Sequence, residues 1–153
     1  MQSFQTPSFM ELALTEARLA LENGEVPVGA AIISPDRSTF FTARNRMREL
    51  KDPTAHAEIL VIRAACQALQ AERLNDYDLY VSLEPCSMCV AAISFARIRR
   101  LYYGASDPKT GGIEKGVRFF SQSTCHHIPE IYSGIEEQNS ALLLKNFFSE
   151  LRK

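Results

Sequence analysis

The order of apolar and polar positions along the chain separates stretches with helical spacing from short, continuously apolar runs. Apolar residues recur at intervals of three and four in long stretches, which predicts helices over residues 8–23, 55–69 and 136–151. Apolar runs bounded by turn residues predict five strands, near residues 28–33, 39–44, 78–82, 100–104 and 128–132. Two shorter helices are predicted at 88–95 and 116–122, and the Gly111-Gly112 pair between them indicates an exposed loop.

The order of these elements predicts an α/β fold. The turn Pro35-Asp36-Arg37-Ser38 joins the first two strands as a hairpin, whereas the later strands need helical crossovers and are therefore expected to be parallel. Helices that alternate with buried strands cover both faces of a sheet, so we expect three α/β/α layers around a central five-stranded mixed sheet. With 153 residues and no repeats or linker-like tracts, the chain is expected to form one domain over residues 1–153.

The composition is that of an ordinary globular protein. Hydrophobic residues make up 46% and charged residues 23% of the chain, and no apolar run approaches the ~20 residues of a membrane span. The N-terminus has no basic-then-apolar signal segment, and four cysteines suit a reducing compartment better than a disulfide framework. We therefore expect a cytoplasmic protein without a membrane partner. Cys66 is expected to be a small side chain packed in the core, and Cys125 a free thiol without a function. The sequence assigns no role to His126 and His127.

Two short motifs carry the chemistry of this chain. His56-Ala57-Glu58 and Pro85-Cys86-Ser87-Met88-Cys89 supply one imidazole and two thiols, which are the donors that zinc prefers. Thr54, after Asp52-Pro53, is a suitable N-cap, which would place His56 and Glu58 in the first turn of a helix. Cys86 and Cys89 are three residues apart after a proline and are expected to share one face at the start of another helix.

Three zinc ligands leave one tetrahedral position for a water molecule, as in catalytic zinc sites. Two thiolates and a neutral imidazole cancel the charge of zinc(II), so the bound water can become a hydroxide nucleophile near neutral pH. Glu58 is then placed to move the protons that replacing an amine by oxygen on a base requires. The alternative is a closed structural zinc site, which needs a fourth ligand and leaves Glu58 without a function. H-x-E followed by P-C-x-x-C is identified as the signature of the zinc deaminases.

Basic charge is concentrated beside the two motifs, although the net charge of the chain is only −1. Residues 44–51 contain four basic residues and one acidic residue, and residues 97–118 contain six basic residues and two acidic residues. The rest of the chain contains seven basic and fifteen acidic residues. This distribution is expected of a phosphate-binding face, and a solvated surface is the alternative.

Several further stretches resemble one family. They are Glu25-Val26-Pro27-Val28-Gly29-Ala30, Asn45, Asp52 to Glu58, Leu83-Glu84-Pro85-Cys86 with Cys89, Gly104-Ala105 with Asp107, Lys109, Thr110 and Gly111, and the Phe147-Phe148 helix with Arg152 and Lys153. On these residues the chain from about Phe9 onward resembles the bacterial tRNA adenosine deaminases of the cytidine-deaminase-like superfamily. The resemblance does not extend to the long basic tail that some members carry.

The resemblance implies a cytidine-deaminase-like fold and the conversion of the wobble adenosine of a tRNA anticodon to inosine. It implies one Zn²⁺ per subunit, a tRNA anticodon stem-loop as partner, and a homodimer. The apolar segment Met88–Phe95 could supply part of the dimer interface as well as part of the core. The implied zinc ligands are His56, Cys86 and Cys89, with Glu58 as general acid and base. The implied substrate-binding residues are Asn45, the backbones of Val26, Ala57 and Leu83 around the flipped base, Lys109, and Asp107 as acceptor from a 2′-hydroxyl group.

Simpler interpretations of these residues stay open. Asn45 could be a turn residue after a strand, Val26 and Leu83 could be packing residues, and Asp107 could cap its own turn before a proline. At the level of function, a deaminase of free bases or nucleotides would use the same zinc site without a basic face. A non-catalytic, zinc-stabilised RNA-binding module would leave Glu58 unused.

Overall fold

The computed structural model describes residues 8–151, and its elements follow the predicted order. The strands are β1 (Gly29–Ile33), β2 (Phe40–Arg44), β3 (Asp78–Leu83), β4 (Arg100–Ala105) and β5 (Glu130–Tyr132). The α-helices are α1 (Phe9–Glu22), α2 (Met47–Leu50), α3 (Ala57–Leu69), α4 (Ser87–Phe95) and α5 (Glu137–Leu151). Arg152 and Lys153, expected at the end of the last helix, lie outside the described residues.

The five strands form one mixed sheet in the order β2-β1-β3-β4-β5. β1 is antiparallel to both β2 and β3, whereas β3, β4 and β5 are parallel to one another. The predicted hairpin and the predicted parallel strands are therefore both confirmed. Because β3 and β4 are parallel, their carboxyl ends at Leu83 and Ala105 meet at the same edge of the sheet.

Helices cover both faces of the sheet, which confirms the three-layer prediction. On one face, Met10 and Leu14 of α1 pack with Ile33 and Tyr80 of the sheet, and α5 lies beside α1. On the other face, Val61 of α3 and the apolar side of α4 pack on the sheet, in a cluster that includes Leu79, Val81, Val90, Ile93 and Leu101. The zinc motifs therefore belong to helices of the second layer.

Three tyrosines form a ladder across the parallel strands. Tyr80, Tyr102 and Tyr132 occupy the same register position on β3, β4 and β5. Their rings are stacked, with centroids 4.3 Å apart between Tyr80 and Tyr102 and 4.9 Å apart between Tyr102 and Tyr132. All three residues of β5 are exposed, so this stacking contributes to holding a short edge strand on the sheet.

Local expectations differ from the structure at two loops. The expected helix at 116–122 is reduced to one 3₁₀ turn at Phe119–Ser121, because Gly116 and Arg118 both have left-handed backbone angles that interrupt a helix. The loop between Asn45 and Thr54 contains the short helix α2, which was not predicted. Both oxygens of the buried Glu25 carboxylate hold its start, because they accept the backbone N–H groups of Arg48 and Glu49 at 3.1 and 2.9 Å.

Among residues 8–151, none of the helices combines the length and the apolar character that crossing a membrane requires.

Candidate active site and metal centre

The two motifs meet at the carboxyl ends of β3 and β4, where α3 and α4 begin. His56 is the N-cap residue of α3 and Cys86 is the N-cap residue of α4, with extended backbone angles at both positions. Neither side chain caps its own helix, so both remain available as ligands. Cys89 is in the first turn of α4 and is fully buried. The expectation that these three side chains converge is confirmed.

The start of α3 differs from the prediction that Thr54 is its N-cap. The backbone N–H and the hydroxyl of Thr54 both donate to Oδ1 of Asp52, at 2.8 and 2.7 Å. Because this local turn engages the hydroxyl group, the helix begins two residues later and His56 is its N-cap. Glu58 is in the first turn, as expected.

The three ligand side chains have the spacing that zinc requires. Nδ1 of His56 lies 3.7 Å from Sγ of Cys86 and 3.5 Å from Sγ of Cys89. A tetrahedral zinc ion places its nitrogen and sulfur ligands about 3.6 Å apart, from bond lengths of about 2.05 and 2.3 Å. Within residues 8–151, no fourth His, Cys, Asp or Glu side chain joins this group. The donor set therefore fits zinc with one position left for another ligand, which disfavours the closed structural site.

The three ligand side chains differ in their affinity for protons. Hydrogen bonds from the Cys89 thiol and from His56 lower the pKa of Cys86 to about 4, so this sulfur is a thiolate at neutral pH. The hydrogen bond with Cys86, together with burial, raises the pKa of Cys89. The same thiolate raises the pKa of His56. Cys86 is therefore the ligand that is ready for a metal, whereas Cys89 and His56 must give up their protons to an incoming cation, so metal affinity should rise with pH.

Glu58 lies beside the triad in a water-poor position. Its side chain is buried, and Oε1 has no hydrogen-bond partner among the described residues. Burial raises the pKa of the Glu58 carboxyl to about 7. A carboxyl group with this pKa can both accept and donate a proton near neutral pH, which is the requirement for a general acid and base. The unpartnered oxygen is available to a substrate or a water molecule.

A pocket of about 190 Å³ opens over Glu58, His56 and Cys86. It has room for one heteroaromatic base, since a cavity of about 150 Å³ accommodates benzene. Of the predicted substrate-binding residues, Val26, Asn45, Leu83 and Asp107 line this pocket. Val28, Met47, Glu84 and Thr110 also line it and were not predicted.

Asn45 is held in one orientation by the start of α3. Its Oδ1 accepts the backbone N–H of Ala57 at 2.8 Å, and the residue is only 4% exposed. A flipped amide would bring two donors together, so the hydrogen bond fixes which atom is oxygen. The Nδ2 group is then the part of Asn45 left for the pocket. Ala57 is fully buried and its N–H is engaged by this bond, and it does not line the pocket.

The loop with Asp107 and Lys109 forms one side of the site. Oδ1 of Asp107 accepts the backbone N–H groups of Lys109 and Thr110 at 3.1 and 3.2 Å, and Oδ2 accepts the Thr110 hydroxyl at 2.6 Å. Asp107 therefore caps its own turn, as the alternative interpretation has it. Lys109 is exposed and lines an adjoining cavity, together with Val26, Leu83 and Phe148, instead of the pocket itself.

The buried carboxylate of Glu84 holds this loop in place through hydrogen bonds to its backbone. The sequence did not indicate this role. The Glu84 side chain is 3% exposed, and its two oxygens accept the backbone N–H groups of Asp107, Ile113 and Glu114 at 2.8, 3.1 and 3.0 Å. A Cβ atom on Gly111 would lie 2.4 Å from the Glu84 carboxyl carbon. The expectation of an exposed glycine pair is wrong, because Gly112 is buried against Ser87.

The two basic segments do not form one continuous face. Arg99 makes a bidentate ion pair with Asp78 at 3.1 Å, and Arg100 pairs with Glu130 at 3.0 Å. These pairs lie at the amino ends of β3 and β4, at the opposite edge of the sheet from the zinc motifs. In the other segment, Arg46 pairs with Glu49. The sequence placed these arginines together because they are close in the chain, whereas the parallel strands carry some of them away from the site.

Comparison with known proteins agrees with this site. The family described as the cytidine and deoxycytidylate deaminase zinc-binding region matches residues 4–105. A tRNA-specific adenosine deaminase of Agrobacterium fabrum is 64% identical over 144 residues, which are 94% of each chain. A solved structure from a study of A-to-I editing by tRNA:A34 deaminases at the wobble position is 65% identical, with a TM-score of 0.86 over 89% of this chain and 98% of that one.

A guanine deaminase from Bacillus subtilis shares the architecture at greater distance. It is 30% identical, with a TM-score of 0.62 over 99% of this chain and 96% of that one. The same architecture is therefore shared by deaminases that are named for different bases. The match over the N-terminal two thirds of the chain and the high identity to the first relative lead to one assignment. The chain belongs to the zinc-binding cytidine and deoxycytidylate deaminase family, in the branch of the tRNA-specific adenosine deaminases.

Proposed function

We propose that the protein hydrolytically deaminates the wobble adenosine of a tRNA anticodon to inosine. The observation that carries the chemistry is the unpartnered Glu58 oxygen beside three side chains with zinc-ligand spacing. The relatives that carry the choice of substrate are the tRNA-specific adenosine deaminase of Agrobacterium fabrum and the tRNA:A34 deaminase structure.

His56, Cys86 and Cys89 would hold one zinc ion per subunit. When bound, zinc supplies a Lewis acid that lowers the pKa of a water molecule. Glu58 moves two protons in turn: it takes one from the attacking water and gives it to a ring nitrogen, and it then takes one from the hydroxyl group added to the base and gives it to the departing amine. Its raised pKa supports both directions of transfer, and its burial excludes competing solvent protons.

The pocket residues orient the flipped base for this transfer. Val26 and Leu83 supply apolar walls, and Nδ2 of Asn45 donates a hydrogen bond to an acceptor atom of the base. In an anticodon loop the base is not paired in a duplex, so turning it outward requires only unstacking. The pocket therefore needs no device for opening base pairs.

The contact between Asp107 and a ribose 2′-hydroxyl group stays a prediction, and so does a contact of Lys109 with RNA. Both Asp107 oxygens already accept hydrogen bonds within the turn, although a carboxylate has further lone pairs. An Asp107→Asn variant tests the contact by comparing rates on matched RNA and DNA stem-loops. A changed ratio supports recognition of the 2′-hydroxyl group, and an unchanged ratio leaves Asp107 as a turn cap.

The substrate class is tested directly with purified protein. Incubation with an anticodon stem-loop, and separately with free adenosine, cytosine and guanine, is followed by separation of the products. We expect inosine from the stem-loop alone. Product from a free base and none from the RNA would contradict the proposal and favour a free-base deaminase. A Glu58→Ala variant is the matched control for contaminating activity.

The protein is further proposed to act in the cytoplasm as a homodimer of single-domain subunits. Phe95 at the end of α4 is 74% exposed, and together with Ile59, Ile62 and Ala92 it lines a largely apolar surface depression on the α3–α4 layer, which Arg63 and Glu72 border. Such a side chain is more stable when a second copy covers it. Light scattering should give twice the chain mass for the wild type. Phe95→Glu should give the single mass, whereas Phe40→Glu, at the exposed β2 edge, should not.

A further inference from the structure

A second polar cavity, of about 350 Å³, lies along the outer edge of β2, between α1 and α3. It shares no lining residue with the active pocket. Three arginines line it: Arg44 on β2, Arg46 two residues later, and Arg63 on α3. The other polar side chains there are Glu16, Thr42 and Gln67.

Two of these arginines form no close ion pair among the described residues, although their charges act at longer range on Glu49 and Asp52, whose carboxyl pKa values they help to lower. Arg46 pairs with Glu49, and Oε1 of Glu16 accepts the Thr42 hydroxyl at 3.1 Å. Within residues 8–151, Arg44 and Arg63 form no ion pair, and Nε of Arg44 is buried without a hydrogen-bond partner. Buried N–H groups in native proteins nearly always have an acceptor, so an acceptor from outside the chain fits this position.

Residues that line this cavity are neighbours in the chain of residues that line the active pocket. Arg44 and Arg46 flank Asn45, which lines the active pocket. Arg63 follows Glu58 by five residues on the same helix, about 8 Å along its axis. The guanidinium group binds phosphate oxygens with paired N–H donors and stays charged at any physiological pH. The unsatisfied donors are therefore of the type that holds a phosphate near the flipped nucleotide.

We propose that the cavity formed by Arg44, Arg46 and Arg63 binds a phosphate group, and that this group belongs to the RNA backbone near the target adenosine. The assignment to RNA rests on the proposed function, whereas the anion site itself does not. Arg44 and Arg63 supply the free donors. Arg46 keeps its partner Glu49 and lines the cavity wall.

The test compares arginines that are inside and outside the cavity. The variants are Arg44→Gln/Arg63→Gln, Arg63→Gln alone, and Arg48→Gln as the matched control. Arg48 belongs to the same basic segment, but it lines a different cavity and its guanidinium donates to the Gly24 carbonyl at 3.1 Å. Arg63 is exposed on α3, so its single variant carries the test if the double variant does not fold. Because Arg63 also borders the depression beside Phe95, the comparison is made with a variant whose mass by light scattering equals that of the wild type.

The first measurement is the affinity for an anticodon stem-loop between 50 and 200 mM salt. Affinity falls as salt rises, and one lost phosphate contact makes the slope of log K against log salt less steep by about 0.7. Between 50 and 200 mM salt, the variant should therefore lose about 2.6-fold less affinity than the wild type loses. We expect this reduction in the double variant and in Arg63→Gln, and an unchanged slope in Arg48→Gln. Inosine formation by the wild type is measured in the same samples. Its absence would contradict the proposed function independently of the anion site.

The second measurement is thermal melting with inorganic phosphate at constant ionic strength. If phosphate stabilises the wild type and not the cavity variants, while all stem-loop slopes are equal, the cavity binds free phosphate and the assignment to RNA is wrong. If neither the slopes nor the phosphate-dependent melting shift differ between the wild type and the cavity variants, the anion site is refuted.

Discussion

Replacing Glu84 by glutamine removes the charge that holds the loop from Asp107 to Glu114 against the active pocket. The carboxylate accepts three backbone N–H groups, those of Asp107, Ile113 and Glu114. A glutamine can keep its amide oxygen at the position that serves two of these donors. Its NH₂ group then faces the third donor, and that N–H loses its acceptor in a buried site.

The size of the effect follows from the bonds that change. A buried donor without an acceptor costs about 1–3 kcal/mol, and two hydrogen bonds lose the extra strength that a charged acceptor gives. We expect the closed loop to be destabilised by about 3 kcal/mol, which is on the order of 100-fold in its equilibrium with an open loop. If the loop unfolds together with the rest of the domain, the same free-energy loss lowers the melting temperature by roughly 6–12 °C.

Hydrogen exchange and kinetics together locate the defect. Exchange of the amides of Asp107, Ile113 and Glu114 should accelerate, because one of these amides loses its acceptor and the other two keep only a weaker, uncharged acceptor. The KM for the anticodon stem-loop should rise more than kcat falls, since substrate binds only to the closed fraction. Zinc content should stay equal to that of the wild type. Glu22→Gln, an exposed change of the same kind on α1, is the matched control.

Unchanged exchange at these three amides, with unchanged KM, would refute the role of Glu84. Loss of zinc along with activity would show instead that Glu84 acts through the adjacent motif with Cys86 and Cys89. The two results are distinct, because the first concerns the loop and the second concerns the metal site.

Three other changes test the site. Glu58→Ala should reduce inosine formation by roughly 10²–10⁴-fold or more while metal analysis still finds zinc, and joint loss of zinc would contradict its role as a proton carrier. Asn45→Asp keeps the acceptor for the Ala57 N–H but replaces the donor in the pocket by a charged acceptor. The value of kcat/KM should therefore fall roughly 10- to 100-fold, at nearly unchanged melting temperature. A kcat/KM equal to that of the wild type would leave Asn45 as a turn residue. Hydrogen bonds from Ser106 and Tyr103 lower the pKa of Glu114, so its charge contributes stability that is present above the ordinary carboxyl pKa of about 4.3 and is lost as the pH falls through the lower folded value. In Glu114→Gln, the melting temperature should therefore fall less steeply with decreasing pH in the acid range than it does in the wild type. The same steepness in both proteins would contradict this role of Glu114.

The metal site could be predicted from the sequence because its constraints are local. Two cysteines three residues apart, and a histidine two residues before a glutamate, have few arrangements once each pair starts a helix. Long-range placement was needed only to bring His56 near Cys86, and the strand order supplied it. The strands and long helices were predictable for a similar reason, since the spacing of apolar residues that identifies each element lies within one short segment of the chain.

Glu25 and Glu84 could not be assigned in the same way. Each carboxylate accepts hydrogen bonds from backbone N–H groups 23 to 30 residues away. Nearly every residue has a backbone N–H group, so the residue type does not show which of these groups is the partner. The prediction of one basic face failed for a different reason, because residues that are close in the chain can lie at opposite edges of the sheet. Arg99 is close in the chain to the loop with Lys109, but β4 runs between them and carries Arg99 to Asp78 at the other edge of the sheet.

The stacked tyrosines on β3, β4 and β5 give the protein an optical signal of its own. The chain contains no tryptophan and five tyrosines, of which Tyr80, Tyr102 and Tyr132 form the ladder. Rings held in fixed stacks contribute to near-ultraviolet circular dichroism, whereas freely rotating rings contribute little. The spectrum of this protein will therefore report whether the sheet is packed, and the Tyr102–Tyr132 pair adds a contribution that depends on the attachment of β5. Since none of the three tyrosines lines the active pocket, the same spectrum can certify that site variants are folded before their activity is compared.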